Sequence, residues 1–248
     1  MDNFQIVAHR GASGEAPENT IAAIRKAVDY ESDRIEIDVQ QTRDGRVVVL
    51  HDTTLDRTTD GTGPVNRFNY DELKPLDAGS WFDTEFRGER IPLLEEVLEL
   101  VKAGTGIIIE LKSGSQLYPD IEKKVWSIIQ YFKLEESTVI SSSRVTVLNT
   151  LKSVAPDAKL GKIITPKELW RSLFQDGSLM FKQGLINHIK ELHPHWSFVD
   201  NQFMEWAKSH DLSVIPWTVN KERKMRAMID RGVHGIITDF PDLAHKFK

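Results

Sequence analysis

His9, His51, Glu36, Asp38, Glu110, Arg10 and Lys112 are the residues of this 248-residue chain whose types and positions could do chemistry together. A histidine has an ordinary pKa near 6.5, so it can give or take a proton at neutral pH. Carboxylates can hold a cation, and arginine and lysine can share the charge of an anion. Cleavage of a phosphodiester uses all of these: a base for the nucleophile, an acid for the departing alkoxide, and positive charge at the phosphoryl oxygens. Taken singly, each histidine reads as an ordinary strand-end residue; grouped with the acids and cations, the pair reads as an acid and a base.

Spacing supports the grouping. In Arg34-Ile35-Glu36-Ile37-Asp38-Val39 the strand period of two puts Glu36 and Asp38 on one face and three aliphatics on the other. In Ile107-Ile108-Ile109-Glu110-Leu111-Lys112 it puts Glu110 and Lys112 together. Three carboxylates at one place repel, since two unit charges about 4 Å apart cost roughly 4 kcal/mol at an effective dielectric near 20. A cation relieves this. With oxygen donors and no cysteine in the chain, the set favours one Mg2+ or Ca2+ ion over zinc. The competing reading is a structural ion-pair network in which Arg10 and Lys112 supply the counter-charge.

These residues need a scaffold that brings several strand ends to one mouth. Short β-branched runs alternate with amphipathic stretches throughout, the pattern of a parallel sheet with crossover helices. The expected strands are Gln5 to His9, Arg34 to Gln41, Gly106 to Lys112, Thr138 to Ser142, Lys159 to Ile164, Glu191 to Trp196, Ser213 to Val219 and Gly235 to Thr238. Eight strands close an α/β (β/α)8 TIM barrel, whose sites lie at the carboxyl ends. Helical patterns include Asn19 to Tyr30, capped by Asn19 or Thr20, then Leu93 to Lys102, Asp120 to Lys133, Phe203 to His210 and Glu222 to Arg231. A weaker helical reading falls around Leu173 to Lys182. After a short extended run from Val47 to His51 comes a polar, turn-rich segment, about 52–90, too long for an ordinary βα loop. The organisation is one barrel domain over residues 1–248 with that insertion after the second strand.

Composition narrows the partners. A net charge of -5 and a pI near 5.9 argue against a nucleic-acid surface. No run approaches the roughly 18 apolar residues of a membrane helix, and the start lacks the basic and apolar regions of a signal peptide. The expectation is a cytoplasmic protein with a small-molecule substrate; oligomeric state is not legible.

The motifs resemble those of the glycerophosphodiester phosphodiesterase family. His9-Arg10-Gly11, Pro17-Glu18-Asn19-Thr20, Glu36-Ile37-Asp38 and His51-Asp52 with Leu55-Asp56-Arg57-Thr58-Thr59 stand in that family's order. Glu110-Leu111-Lys112, Trp217-Thr218-Val219-Asn220 and the closing segment from Gly232 to Asp239 continue it. The resemblance implies metal ligands at Glu36, Asp38 and Glu110, catalytic histidines at His9 and His51, and phosphate contacts at Arg10 and Lys112. It also implies that Trp217 lies near the substrate's glycerol, against the plain alternative of core packing. Glu18 is open between a contact to metal or substrate and a favourable charge at the first helix's positive end. Two departures bear on the substrate pocket: Ser141-Ser142-Ser143 replaces a serine-aromatic pair, and His234 stands where aspartate is frequent. His193-Pro194-His195 reads as barrel lining in preference to a second metal site, and His188, His210 and His245 as surface positions.

The implied reaction is metal-dependent hydrolysis of a glycerophosphodiester to sn-glycerol 3-phosphate and an alcohol, with His9 as base and His51 as acid. Two rivals are a related barrel phosphodiesterase cleaving lysophospholipids or sphingolipids in the manner of phospholipase D, and a non-catalytic phosphoglycerol-binding protein.

Overall fold

Alternating strands and helices fill the described residues, 4–101, 104–166 and 188–248, of the computed structural model. In chain order they are β1 (Gln5–His9), α1 (Ile21–Asp29), β2 (Arg34–Gln41), β3 (Val47–Val49), α2 (Tyr70–Leu73), α3 (Leu94–Val101), β4 (Gly106–Leu111), α4 (Ile121–Phe132) and β5 (Thr138–Ser142). Then follow α5 (Val145–Val154), β6 (Lys159–Ile164), β7 (Ile189–Pro194), α6 (Asn201–Ser209), β8 (Ser213–Val214), α7 (Glu222–Asp230), β9 (Gly235–Thr238) and α8 (Pro241–His245). Strands β8, β7, β6, β5, β4, β2, β1 and β9 are neighbours in that order and run parallel. Backbone bonds join the two ends: His234 N–H donates to Val214 O, Ile237 N–H to Pro216 O and Val219 N–H to Ile237 O, each at 2.9 Å. The fold is the expected (β/α)8 barrel.

The period of two sorts the side chains as the sequence predicts. Ile35, Ile37, Val39, Ile107, Ile109 and Leu111 face outward and pack with helix residues such as Ile24, Leu98, Val125 and Leu148. Val7, Ile108, Val139, Ile215 and Ile237 fill the barrel interior. A polar group interrupts that interior: Arg34 Nη1 donates to Glu191 Oε1 at 2.6 Å, and His193 Nε2 lies 3.1 Å from Glu191 Oε2. Burial pushes the Glu191 carboxyl up, but His193 and Arg34 outweigh it and hold the group at about 2. A depressed carboxyl pKa contributes stability that is present above the unfolded value, about 4.3, and is lost as pH falls toward the folded one. Glu191→Gln is therefore expected to destabilise by about 3 kcal/mol near pH 7, because it leaves the half-buried Arg34 and the buried His193 without their charged partner. The deficit shrinks near pH 3, which chemical denaturation at the two pH values checks.

Strand β3 folds back antiparallel on β2, with Val39 opposite Val49 and Gln41 opposite Val47. Leu50 N–H donates to Asp38 O at 3.0 Å, and Gln40 Nε2 donates to His51 O at 2.8 Å. The hairpin thus returns His51 to the mouth beside Asp38. The segment that follows, 52–90, contributes Leu55, Val65, Leu73 and Ala78 to a second small apolar cluster, which Val48, Leu50 and Ile91 complete from its flanks.

Boundaries differ from the sequence reading where a local rule is overridden. Helix α1 begins at Ile21, and Thr20, not Asn19, caps it by accepting from Ala23 N–H. Regular β8 stops at Val214 because Pro216 has no N–H for the ladder, although Ile215 and Trp217 still donate to Leu192 O and Pro194 O at 2.9 Å. Strand β7 starts two residues earlier than its acidic Glu191 suggests, since Glu191 is sheltered inside the barrel. The helical reading around Leu173 to Lys182 lies outside the described residues. Among the described residues no helix is long and apolar enough to cross a membrane.

Candidate active site

Strand β1 ends at His9 and turns sharply. Arg10 takes φ 57° and Gly11 φ 81°, and a β-carbon on Gly11 would stand 2.5 Å from the backbone carbon of Ala23. Only glycine fits there. The turn directs Arg10 N–H to Glu36 Oε2 at 3.1 Å and the guanidinium to Asp38 Oδ2 (3.2 Å) and Glu18 Oε1 (2.8 Å).

Glu36, Asp38 and Glu110 each offer an oxygen, and the three atoms lie within 4.8 Å of one another. Lys112 Nζ donates to Glu110 Oε2 at 2.7 Å and stands 2.8 Å from Asp38 Oδ1. Asn19 clasps Asp38 from the other side: its Nδ2 donates to Oδ2 at 3.0 Å, and its Oδ1 accepts from Asp38 N–H at 3.3 Å. Burial opposes ionisation of all three acids. For Asp38 it is outweighed by Lys112 and Arg10, which hold the carboxyl well below its ordinary value. Burial, then Asp38 and Glu110, push Glu36 well above the carboxylate range. Burial, then Asp38, push Glu110 up to about 7. Arg10 and Lys112 so act as counter-charges within the cluster, but two cations do not balance three acids.

The histidines are held alike. His9 Nδ1 is 2.6 Å from Asp239 Oδ1, and His51 Nδ1 is 2.5 Å from Asp52 Oδ1. An ionised carboxylate only accepts, so Nδ1 carries the hydrogen in both rings and Nε2 is left for chemistry. His9 Nε2 stands 4.0 Å from Glu36 Oε2. Asp239 is itself fixed by Ser13 Oγ (3.0 Å) and Asn220 Nδ2 (2.5 Å), and Asp52 Oδ2 accepts from Arg57 Nε at 2.7 Å. Arg57, then His51, hold Asp52 at about 2 despite burial. Burial pulls His51 below its ordinary value, opposed by the nearby Asp38.

These side chains surround a cavity of about 130 Å3. His9, His51, Glu36, Glu110, Arg10 and Lys112 line one side, and Ile163 and Trp217 form an apolar wall. Trp217 is pinned by its Nε1–H, which donates to His193 O at 2.8 Å. Glu18 does not line the cavity; it accepts from Arg10 once and from Arg57 twice, at 2.7 and 2.8 Å, and so ties two guanidiniums together. His193 is buried inside the barrel, while His195 sits among the rings of Trp196, Phe198 and Trp217. His234 accepts from Val214 N–H and stands apart from the cavity. His188, His210 and His245 are half-buried elsewhere. Asp239, Asp52 and Asn220 are participants that sequence reasoning left without a role, and Asn19 one that it read as a helix cap, although each falls inside a quoted motif.

Barrel and mouth together define an enzyme, with acids, histidines and cations converging at the strand ends. The model of the glycerophosphoryl diester phosphodiesterase family matches residues 9–243, and the chain belongs to that family. It is 42% identical to a glycerophosphodiester phosphodiesterase of Caldanaerobacter subterraneus over 96% of this chain and 94% of that one. It is 37% identical to one of Bacillus altitudinis over 98% of each chain. Among solved structures, a phosphodiesterase of Oleispira antarctica in complex with the product sn-glycerol-3-phosphate superposes with a TM-score of 0.88 at 30% identity, over 98% of this chain and 95% of that one.

Proposed function

We propose that the protein hydrolyses glycerophosphodiesters to sn-glycerol 3-phosphate and an alcohol. In this reading His9 and His51 move the protons, and Glu36, Asp38 and Glu110 hold one divalent cation, Mg2+ or Ca2+. The observation that carries it is the pairing of two imidazoles, each with Nδ1 tied to a carboxylate, over one cavity with a three-acid cluster. A binding protein has no need of such a pair.

The donor set suits a hard cation: oxygen only, mutually within 4.8 Å, and short of counter-charge at Glu36. When bound, the ion would draw charge from a phosphoryl oxygen and add to the acidity of the nucleophile. His9 stands on the Glu36 side of the cavity, so it takes the proton of the nucleophile, a water or the neighbouring glycerol hydroxyl. His51 gives a proton to the departing alcohol. Arg10 and Lys112, already in the cavity wall, turn part of their charge to the phosphate. Trp217 offers its face to the glycerol carbons. Glu18, through Arg10 and Arg57, keeps the arginines in place. Residues 52–90 are an insertion on one barrel domain, and the setting is cytoplasmic.

Asp239 and Asp52 set the tautomer of the rings they hold. Asp239→Asn is expected to lower kcat by about 10- to 100-fold with little change in KM; steady-state kinetics with a melting curve check it. The substrate class is tested by assaying glycerophosphocholine, glycerophosphoethanolamine and glycerophosphoglycerol beside lysophosphatidylcholine and sphingomyelin. Release of glycerol 3-phosphate from the first group is expected, and the best of them names the alcohol. Turnover confined to the lipids would overturn the reading in favour of a phospholipase D type cleavage.

A further inference from the structure

One side of the cavity carries polar groups that the chemistry above leaves unused. Ser141 is fully buried on β5, lines the cavity, and its Oγ has no hydrogen-bond partner among the described residues. His193, 1% exposed on β7, lines the same side. Its Nε2 points to the ionised Glu191, which Arg34 holds at 2.6 Å, so Nε2 carries the ring's hydrogen. Nδ1 is then an acceptor, and among the described residues it has no partner. Gly161 makes the space between them: a β-carbon there would stand 2.9 Å from His193 Cε1 and 3.2 Å from Ser141 Cβ.

A buried hydroxyl left without a partner costs about 1–3 kcal/mol. A largely buried Arg–Glu–His set gives little net stability for its desolvation. Both make sense when a ligand completes them. On the reading that this mouth takes a glycerophosphodiester, we propose that Ser141 and His193 form its hydroxyl-recognition subsite. His193 Nδ1 accepts from one glycerol hydroxyl, and Ser141 Oγ pairs with the same or the adjacent one. Glu191 and Arg34 act through His193 as positioning residues that fix its tautomer.

The test compares glycerophosphocholine with bis(p-nitrophenyl) phosphate, a diester that has no glycerol hydroxyls, in wild type, Ser141→Ala, His193→Ala and His193→Asn. For Ser141→Ala and His193→Ala, kcat/KM on the glycerol diester is expected to fall about tenfold each, chiefly through KM. Turnover of the nitrophenyl diester is expected to stay within about twofold of wild type. His193→Asn, whose amide oxygen can accept in place of Nδ1, is expected to recover most of the loss. Ser141→Ala removes a single buried oxygen and keeps the test valid if the His193 variants fold poorly. Equal losses on both diesters, or unchanged selectivity in Ser141→Ala and His193→Ala, would overturn the subsite. A wild type that cleaves the nitrophenyl diester but no glycerol diester would instead overturn the functional reading, and the subsite with it.

Discussion

Replacing either His9 or His51 with alanine is expected to lower kcat by about 10^3-fold or more, with the fold intact. A positioned general acid or base contributes typically 10^2- to 10^4-fold, and each ring here is built for that work by a carboxylate on Nδ1. Neither side chain carries the core. His9 and His51 are partly exposed at the cavity, and the apolar interior lies beneath them in Val7, Ile108 and Ile237. Melting temperatures of both variants should therefore stay close to wild type, while glycerol 3-phosphate release nearly vanishes. Substantial turnover in both variants would sink the acid-base assignment.

The second large effect is expected at the acids. Glu36→Gln should remove metal-supported activity by about 10^3-fold or more, since it takes one of the three proposed ligands and one negative charge from the cluster. In EDTA the same substitution should stabilise the protein near pH 7. The sign follows from Glu36's raised pKa: a buried carboxyl held above its unfolded value loses stability as pH rises past that unfolded value. Glutamine keeps the shape and removes the charge. Metal-free thermal melts of the two proteins, repeated with Mg2+ and Ca2+, separate the effects: the ion should raise the wild-type melting temperature and leave Glu36→Gln unmoved. A variant less stable than wild type in EDTA would show that Arg10 and Lys112 already balance the acids.

Much of this site was legible because strands have a period of two. Once Ile35, Ile37 and Val39 were read as facing helices, Glu36 and Asp38 had to point inward, and the same logic placed Glu110 and Lys112. The barrel was legible from alternation, and its closure is real even where regular β8 is broken by Pro216. What the sequence hid are pairings across chain distance. Asp239 holds His9 from 230 positions away, and no local periodicity links the two. Asn19 looked like a helix cap, but its left-handed backbone at φ 60° turns the amide onto Asp38 and leaves the cap to Thr20. The engagement of Arg10 and Lys112 with the acids stood in the sequence as the competing reading, since residue types alone do not tell a phosphate contact from a counter-charge. Helix α5 was not singled out because β-branched Val145, Thr146, Val147, Thr150 and Val154 dilute its helical pattern; burial of Val147, Leu148 and Leu151 decides it.

The most direct test of the central claim is glycerol 3-phosphate release from the best glycerophosphodiester by EDTA-stripped protein, before and after Mg2+ or Ca2+ is restored. The account predicts no release after stripping and recovery with at least one of the two ions. Undiminished release in EDTA would contradict it, because the acid cluster would then have no part in the chemistry.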